Sequence, residues 1–202
     1  MPVYCLDGLV PVVDPGAFVH PLAALIGDVI VAAHCYIGPG ASLRGDFGSI
    51  RVGAGANIQD NCVLHTFPGQ EVVLEENAHI GHGAVLHGCR IGSGALIGIN
   101  TIVMDDAAIG ADALVGAGSF VRAGFVVPPR MLALGSPARL VRELTGAEIE
   151  WKSTGTRAYQ ALAERCLGTL KECEPRRCGE PGRRGPQAAA LAPLHTLGRD
   201  PR

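Results

Sequence analysis

The chain has 202 residues and a formal charge of −2, a length that suits one principal domain with an appendage. Hydrophobic residues make up 48% of it, aromatic residues only 4%, and 28 residues are glycine, which favours an aliphatic core with many tight turns over a helical bundle. The near-neutral charge gives no reason to expect a nucleic acid or a membrane surface as a partner.

The amino-terminal stretch MPVYCLDGLVPVVD lacks the basic region of an export signal. No apolar run reaches the roughly 18 residues that a membrane-spanning helix needs, so we expect a cytoplasmic location. The seven cysteines are scattered and form no CxxC pair. Reduced thiols buried as small apolar residues are therefore favoured over a disulfide framework or a cysteine-type zinc site.

Aliphatic residues recur at about every sixth position, and a small residue usually stands four positions after each of them. The pattern takes a nine-residue step after Leu43 and is interrupted from Thr66 to roughly Glu76. Neither a helical nor a simple strand period produces it. The aliphatic positions are Val13, Val19, Leu25, Val31, Ile37, Leu43, Val52, Ile58, Leu64, Ile80, Leu86, Ile91, Ile97, Val103, Ile109, Val115, Val121 and Val127.

This unit resembles the hexapeptide repeat of the left-handed parallel β-helix, a family that implies three hexapeptides per coil and a triangular prism. We therefore predict an all-β solenoid, a left-handed parallel β-helix, over residues 10–135. Stacked coils pair their backbones at a rise of about 4.8 Å around a narrow aliphatic core. The interruption after His65 is predicted to be a loop that leaves one corner of the prism.

A helical appendage packed on the prism is predicted for residues 140–173, and a mobile tail for the aperiodic residues 174–202. In the appendage, Thr145 and Glu148 form a capping box for a first helix that Gly155 ends. A second helix, capped by Thr156, would lay an apolar stripe along one face of the prism. The stripe consists of Tyr159, Leu162, Cys166, Leu170 and Cys173.

The repeat also fixes the direction of three histidines. Leu64 and Leu86 occupy the same position of successive coils, so His65 and His87, which follow them, stack about 5 Å apart and can bind one ion. Arg44 stands in the same outward column. His82 lies on the preceding side of the triangle, well over ~10 Å from His87 along the chain.

One chain therefore cannot bring His82 to the pair, but a neighbouring prism can. Heterologous contacts close into rings when the rotation permits, so we predict a homotrimer in which His65 and His87 of one chain and His82 of the next bind one metal ion. Three imidazoles leave a fourth position for water, which zinc makes acidic with a pKa of about 7. Asp46, Gln59 and Asp60 are candidates for orienting the ligands and the water. Arg44 is expected to pair with Asp46 or with a carboxylate at the subunit interface, and Arg44 and Asp60 are assigned structural or interface roles. The other histidines, His20, His34, His79 and His195, are interpreted as structural or surface residues.

Arg44-Gly45-Asp46, Gln59-Asp60, His65, and the pair His82 and His87 resemble the pattern of the γ-class carbonic anhydrase family, over about residues 10–170. The stretches NIQDNCVLHTFPG, HIGHGAVLHGC and WKSTGTRAYQ look most similar to its phenylacetic acid degradation (PaaY-type) branch and the carnitine-operon relative. The resemblance implies trimers and Zn²⁺ on the three histidines, with Fe²⁺ or Co²⁺ as other candidates. It also implies catalytic roles for Asp46, Gln59 and Tyr159, although packing on the prism is an equal alternative for Tyr159.

Phe47 stands where the archetypal carbonic anhydrase has a glutamate, and the repeat assigns its side chain to an inward position. This difference counts against efficient carbonic anhydrase activity. The resemblance to the PaaY-type branch then implies the predicted function, a metal-hydroxide hydrolase that acts on coenzyme A thioesters in phenylacetate (phenylacetyl-CoA) degradation. Hydration of carbon dioxide to bicarbonate is the first alternative. A hexapeptide-repeat acyltransferase with one histidine as general base and no metal is the second, and a scaffold role the third.

Overall fold

The structure is a computed structural model that describes residues 2–179, 181–183, 185 and 193–194. Within these residues, twenty strands precede one helix. In chain order they are β1 (Val3–Tyr4), β2 (Val12–Val13), β3 (Phe18–Val19), β4 (Ala24–Val31), β5 (Tyr36–Ile37), β6 (Ser42–Val52), β7 (Asn57–Ile58), β8 (Val63–His65), β9 (Glu71–Leu74), β10 (His79–Ile80), β11 (Val85–His87), β12 (Arg90–Ile91), β13 (Leu96–Ile97), β14 (Ile102–Val103), β15 (Ala108–Ile109), β16 (Leu114–Val115), β17 (Phe120–Val121), β18 (Val126–Val127), β19 (Met131–Gly135) and β20 (Ala138–Glu143), followed by helix α1 (Gly146–Thr169).

The strands form the three faces of a prism, which confirms the predicted left-handed parallel β-helix. The first face contains β8, β11, β14 and β17, and the second contains β9, β12, β15 and β18. The long strands β4 and β6 contribute to both of these faces, because each pairs at its two ends with different neighbours. The third face runs from β3 through β5, β7, β10, β13, β16 and β19 to β20, which is its only antiparallel strand.

The interior is an aliphatic column, as the repeat predicts. Leu43, Leu64 and Leu86 stand opposite one another in successive coils of the first face and are fully buried. Ile58, Ile80 and Ile97 do the same on the third face. Burial of such a side chain contributes about 1.5–3 kcal/mol, so the stacked column is the main source of stability of the prism.

The loop after His65 is shorter than predicted. Residues 71–74 form β9, which pairs with β6 and β12 and buries Val72 and Leu74. The repeat therefore resumes at Leu74, six positions before Ile80, and only residues 66–70 leave the prism. The sequence pattern missed β9 because the preceding insertion shifts its phase relative to the earlier coils.

The prediction of two helices separated at Gly155 was wrong. Helix α1 continues through Gly155, where an added Cβ would lie 3.8 Å from His79 Cε1. Thr156 does not cap a helix, because its side chain is buried and bonds the carbonyl oxygen of Lys152 at 3.3 Å. Gly155 thus lies on the side of the helix that is packed against His79 of the third face.

Two sets of contacts hold α1 on the prism. The capping box of Thr145 and Glu148 is present as predicted, and the hydrogen bond from Arg142 is the main cause that lowers the pKa of Glu148 to about 2. Lys152 is buried and donates from Nζ to Asp112 Oδ1 at 2.7 Å and to the carbonyl oxygen of Gly94 at 2.6 Å. Lys152 thus fixes the helix against the two corners that follow β12 and β15.

The apolar stripe of α1 is shorter than predicted. Tyr159, Leu162 and Cys166 pack against a small cluster of Phe18, Tyr36 and Ala163. Leu170 is instead the C-cap residue and about half exposed, and Cys173 is exposed beyond the helix end.

Three cysteines, Cys35, Cys62 and Cys89, are buried as predicted, and burial raises the pKa of their thiols to about 11, 11 and 12. Cys5 and Cys178 are exposed, contrary to the expectation of general burial. Most of the predicted tail 174–202, including His195, lies outside the described residues. Within the described residues, no helix is both long and apolar enough to cross a membrane.

Candidate active site

His65 and His87 lie side by side on the outside of the first face. They are paired in register between β8 and β11, as the repeat predicts. His65 Nδ1 is 3.1 Å from His87 Nε2, and the ring centroids are 5.2 Å apart. The stacked leucines beneath them are buried, so the two imidazoles are directed outward together.

Each imidazole is also held by a carboxylate through its second nitrogen. His65 Nε2 lies 3.0 Å from Asp46 Oδ1, and His87 Nδ1 lies 2.5 Å from Asp105 Oδ1. Arg44 pairs with the other oxygen of Asp46 at 2.6 Å, as expected. Burial acts to raise the pKa of Asp46, but the hydrogen bonds from Arg44 and His65 outweigh it, and the pKa lies below its usual range.

Asp105 was missed by the sequence analysis. It stands two positions after Val103, which pairs with Leu86, whereas His87 stands one position after Leu86. The strand register therefore places Asp105 one position beyond the residue opposite His87 in the next coil. The period could therefore have identified it, but its column contains no other acidic residue that would have drawn attention to it.

The hydrogen bonds leave an unusual pair of facing nitrogens. When His65 Nε2 and His87 Nδ1 donate to their carboxylates, the neutral rings turn lone pairs toward each other across 3.1 Å. A proton or a cation between them removes that repulsion. Zinc bonds of 2.0–2.1 Å at tetrahedral angles hold two nitrogens about 3.3 Å apart, so the pair fits two ligands of one metal ion.

The third predicted ligand is not part of this group within one chain. Among the described residues, no group of three or more histidine, cysteine, aspartate or glutamate side chains could hold a metal ion. This agrees with the expectation that His82 lies apart from His65 and His87 in a single chain. The intersubunit metal site itself stays a prediction.

Two phenylalanines flank the imidazole pair, and one of them lies in a different place from the one that the repeat predicts. Phe47 was expected in the core, but it is 55% exposed, with its ring 5.4 Å from that of His65. The reason is the nine-residue step, whose three extra residues leave the hexad register. Phe67, in the loop after His65, lies edge-on to His87 at 4.9 Å.

His82 occupies the corner between the third and first faces. Its Nδ1 is 3.1 Å from Asp60 Oδ2, as its expected position beside Asp60 implies, and its Nε2 is 3.4 Å from the hydroxyl of Tyr159 on α1. Gly83 makes this corner possible, because it has φ of 69° and a Cβ there would collide with Asn100. His82 is therefore held between a carboxylate and a phenol.

Tyr159 contacts this histidine while it packs on the prism. Its ring lies 5.3 Å from Tyr36 and 5.5 Å from His79. Burial is the largest cause that raises its pKa to about 12, so the hydroxyl keeps its proton at neutral pH. The packing role is thus observed, and the catalytic role stays a prediction.

Gln59 lies in a buried network and does not bond His82. Its side-chain nitrogen is 2.7 Å from His79 Nε2 and 3.0 Å from Asn57 Oδ1. His79 Nδ1 lies 3.2 Å from Thr156 Oγ1 of α1, and burial lowers the pKa of His79 to about 4. His79 therefore takes part in the packing of α1 on the third face. Because both amide hydrogens of Gln59 have acceptors, this residue offers a ligand only its oxygen.

A cavity of 680 Å³ lies between the third face and α1, and His82, Gln59 and Tyr159 are at its polar end. This volume is in the usual range of small-molecule sites. The remaining walls are mostly aliphatic and include Leu96, Ile99, Leu114, Leu132, Leu134 and Trp151. A general base beside a concave apolar site is an arrangement that acyl-transfer chemistry can use.

Comparisons with known proteins agree with this fold. The family described as "Bacterial transferase hexapeptide (six repeats)" matches residues 88–123. The carnitine operon proteins CaiE of Citrobacter koseri and Escherichia coli K12 are 54% and 53% identical, over 87% and 91% of this chain and 89% and 93% of theirs. The chain belongs to the hexapeptide-repeat transferase family.

Solved structures of the hexapeptide-repeat transferase family give the same result. A hexapeptide transferase family protein of Anaplasma phagocytophilum superposes with a TM-score of 0.79 and 36% identity, covering 81% of this chain and 97% of its own. A proposed acetyltransferase of Bacillus cereus superposes with a TM-score of 0.81 and 34% identity, covering 82% and 96%.

These transferase relatives overturn the predicted function. A zinc-hydroxide hydrolase of phenylacetate-type thioesters and a carbonic anhydrase were both wrong, because the matched family and structures are transferases and the curated relatives belong to a carnitine operon. The hexapeptide-repeat part of the resemblance is confirmed, but its phenylacetate branch is not. The same three histidines suit a metal site as well as a transferase, so their register alone does not identify the reaction.

Proposed function

We propose that this protein is an acyltransferase that moves an acyl group from a coenzyme A thioester to a small nucleophilic acceptor. The observation that carries the proposal is the Asp60–His82 pair at the polar end of the cavity. A carboxylate on Nδ1 fixes the tautomer of an imidazole and leaves Nε2 unprotonated as a base. Nε2 is the atom of His82 that contacts the hydroxyl of Tyr159, and both residues line the cavity.

The proposed reaction needs one proton carrier. His82 Nε2 takes the proton of the acceptor's hydroxyl or amine as its oxygen or nitrogen attacks the thioester carbonyl carbon. The tetrahedral intermediate then breaks its carbon–sulfur bond, and the departing thiolate receives the proton from the imidazolium. Asp60 stabilises that imidazolium, as carboxylates do in histidine-dependent acyl transfer.

Tyr159 supplies a hydrogen-bond donor in this scheme. Because its pKa is raised to about 12, the hydroxyl stays protonated and can donate to the oxygen of the tetrahedral intermediate. Donors aimed at such an oxygen typically contribute 10²–10³ in rate. The 3.4 Å contact between the hydroxyl and His82 Nε2 places this donor beside the base.

The names of the relatives support one class of acceptor. Proteins 53–54% identical to this chain are named for a carnitine operon, which supports carnitine or a related hydroxylated quaternary amine as the acceptor. We also propose that the protein is a cytoplasmic homotrimer. The outward column of Val63, Val85 and Ile102 on the first face is an apolar surface suited to a neighbouring prism.

The cation site is a separate proposal. His65 and His87 would hold Zn²⁺, Fe²⁺ or Co²⁺, with Asp46 and Asp105 orienting the rings, and a bound cation there would supply a positive charge able to polarise an oxygen. In this proposal His82 serves as the base in its own chain, which replaces its predicted role as the third ligand. The metal content of a purified His82→Asn variant decides between these two roles of His82. A variant that still binds the metal supports His82 as the general base, and a variant that has lost the metal supports His82 as the third ligand.

The acyl-transfer proposal is tested by the rate of thiol release from acyl-CoA in the presence of carnitine. His82→Asn and Asp60→Asn are expected to lower this rate by roughly 10²–10⁴, the usual contribution of a general base and its orienting partner. The matched control is His34→Asn, which removes another corner imidazole at a positive φ of 60° that asparagine tolerates. Equal rates in the wild-type protein and His82→Asn would overturn the proposal.

A further inference from the structure

The cavity beside His82 is a groove with a defined direction. It runs from β10 past β13 and β16 to β19 under the amino-terminal half of α1. Three steps between adjacent strands, at about 4.8 Å each, give it a length of roughly 14 Å. Its polar groups are concentrated at the β10 end, and the β13–β19 end is aliphatic.

The residues stacked at one corner of the prism explain why the groove changes abruptly from polar to aliphatic. Two positions after β7, β10 and β13 stand Asp60, His82 and Ile99, and these strands are paired in register. His82 therefore has a carboxylate neighbour on one side and an isoleucine, 49% exposed, on the other. Both His82 and Ile99 line the groove, so the proposed base stands where the aliphatic part begins.

Among the described lining residues, no cationic side chain is available to pair with a negatively charged ligand at the aliphatic end of the groove. Lys152 is the only lysine or arginine among the described lining residues, and its ammonium is bound by Asp112 and the carbonyl oxygen of Gly94. A free carboxylate or a phosphate deep in the groove would therefore lose its hydration without gaining a counter-ion. The groove suits an uncharged apolar chain whose only polar group lies at the His82 end.

We infer that this groove is the acyl subsite and that it selects donors with a medium-length aliphatic acyl group over acetyl donors. The inference rests on the proposed function, since the thioester carbonyl would lie at His82 with the chain directed toward β19. Each methylene that leaves water for an apolar wall favours binding by roughly fourfold. An eight-carbon acyl chain should then bind at least tenfold more tightly than acetyl, even after ordering costs.

Trp151 provides a direct readout, because it lines the groove and is the only tryptophan among the 202 residues. The full chain is titrated with octanoyl-CoA, acetyl-CoA and coenzyme A while Trp151 fluorescence is recorded. We expect octanoyl-CoA to saturate at a concentration at least tenfold below acetyl-CoA. Equal half-saturation by the two thioesters would overturn the inference.

Substitutions at one corner of the prism locate the effect. Ile99→Asp puts a carboxylate beside the aliphatic end and should weaken octanoyl-CoA at least tenfold while leaving coenzyme A unchanged. Leu22→Asp is the matched control, because Leu22 is exposed in the same corner between β3 and β4 and does not line the groove. An equal loss in both variants would contradict an acyl subsite here.

The binding assay separates this inference from the proposed function. His82→Asn should lower the transfer rate by roughly 10²–10⁴, yet it should bind octanoyl-CoA within twofold of the wild-type protein. Selective octanoyl-CoA binding without transfer to any acceptor would refute the acyltransferase and support the subsite. Transfer that proceeds equally with acetyl and octanoyl donors would support the acyltransferase and refute the subsite.

Discussion

The ion pair between Lys152 of α1 and Asp112 of the prism should respond unequally to removal of its two partners. The side chain of Lys152 is 1% exposed and that of Asp112 is 39% exposed. Asp112→Ala leaves the ammonium buried with one carbonyl acceptor, whereas Lys152→Met leaves a carboxylate that water can still reach. Removing the partner of a buried charge costs about 3–5 kcal/mol. Because water can approach from the Asp112 side, we expect about 3 kcal/mol for Asp112→Ala.

Lys152→Met keeps most of the aliphatic stem and loses a hydrogen bond to Gly94, so we expect a cost of about 1 kcal/mol. The double variant should then be more stable than Asp112→Ala alone, since it no longer contains a buried unpaired ammonium. Urea unfolding followed by far-ultraviolet circular dichroism measures the unfolding free energy of the two single variants and the double variant. The matched control is Glu150→Ala, which breaks an exposed ion pair with Arg157 on the same helix and should leave the unfolding free energy unchanged. A double variant less stable than Asp112→Ala would refute the reasoning.

Two further predictions concern the contact between α1 and the third face. Gly155→Ala should raise the unfolding free energy by about 0.5–1 kcal/mol, because Gly155 is inside the helix and an added Cβ would stand 3.8 Å from His79; a fall measured by urea unfolding would mean that the helix is interrupted there. The pKa of His79 falls from 6.5 to about 4 on folding, so its neutral form stabilises the fold fully above pH 6.5 and this stability is lost as the pH falls from 6.5 toward 4. Between pH 7 and 5 the loss attributable to His79 is about 2 kcal/mol, measured as the difference in unfolding free energy between the wild-type protein and His79→Gln; identical pH dependence in the two would contradict it.

The hexad period was enough to predict the prism, because each coil must bury one aliphatic and one small residue. It also predicted the register of His65 with His87 and of His82 with Asp60, since both follow directly from strand pairing. It failed at Phe47, where three extra residues leave the repeat. Outside the prism the period carries no information, and the helix-breaking tendency of glycine alone predicts an end at Gly155.

The chemistry was harder to predict than the fold, because the same histidines suit two kinds of site. His65 and His87 face each other as metal ligands do, whereas His82 is held by Asp60 as a general base is held. The apolar groove that favours the second use is formed by α1 over the third face. The repeat describes only the prism, so neither the groove nor the contact of Tyr159 with His82 could be read from it.

The central claim is acyl transfer, and acceptor dependence tests it most directly. The wild-type protein is incubated with octanoyl-CoA with and without carnitine, and both the released coenzyme A and the acylated product are quantified by mass spectrometry. We expect that coenzyme A is released only when the acceptor is present, and that the amount of coenzyme A released equals the amount of acylated acceptor formed. Release of coenzyme A and free octanoate at the same rate without any acceptor would contradict it.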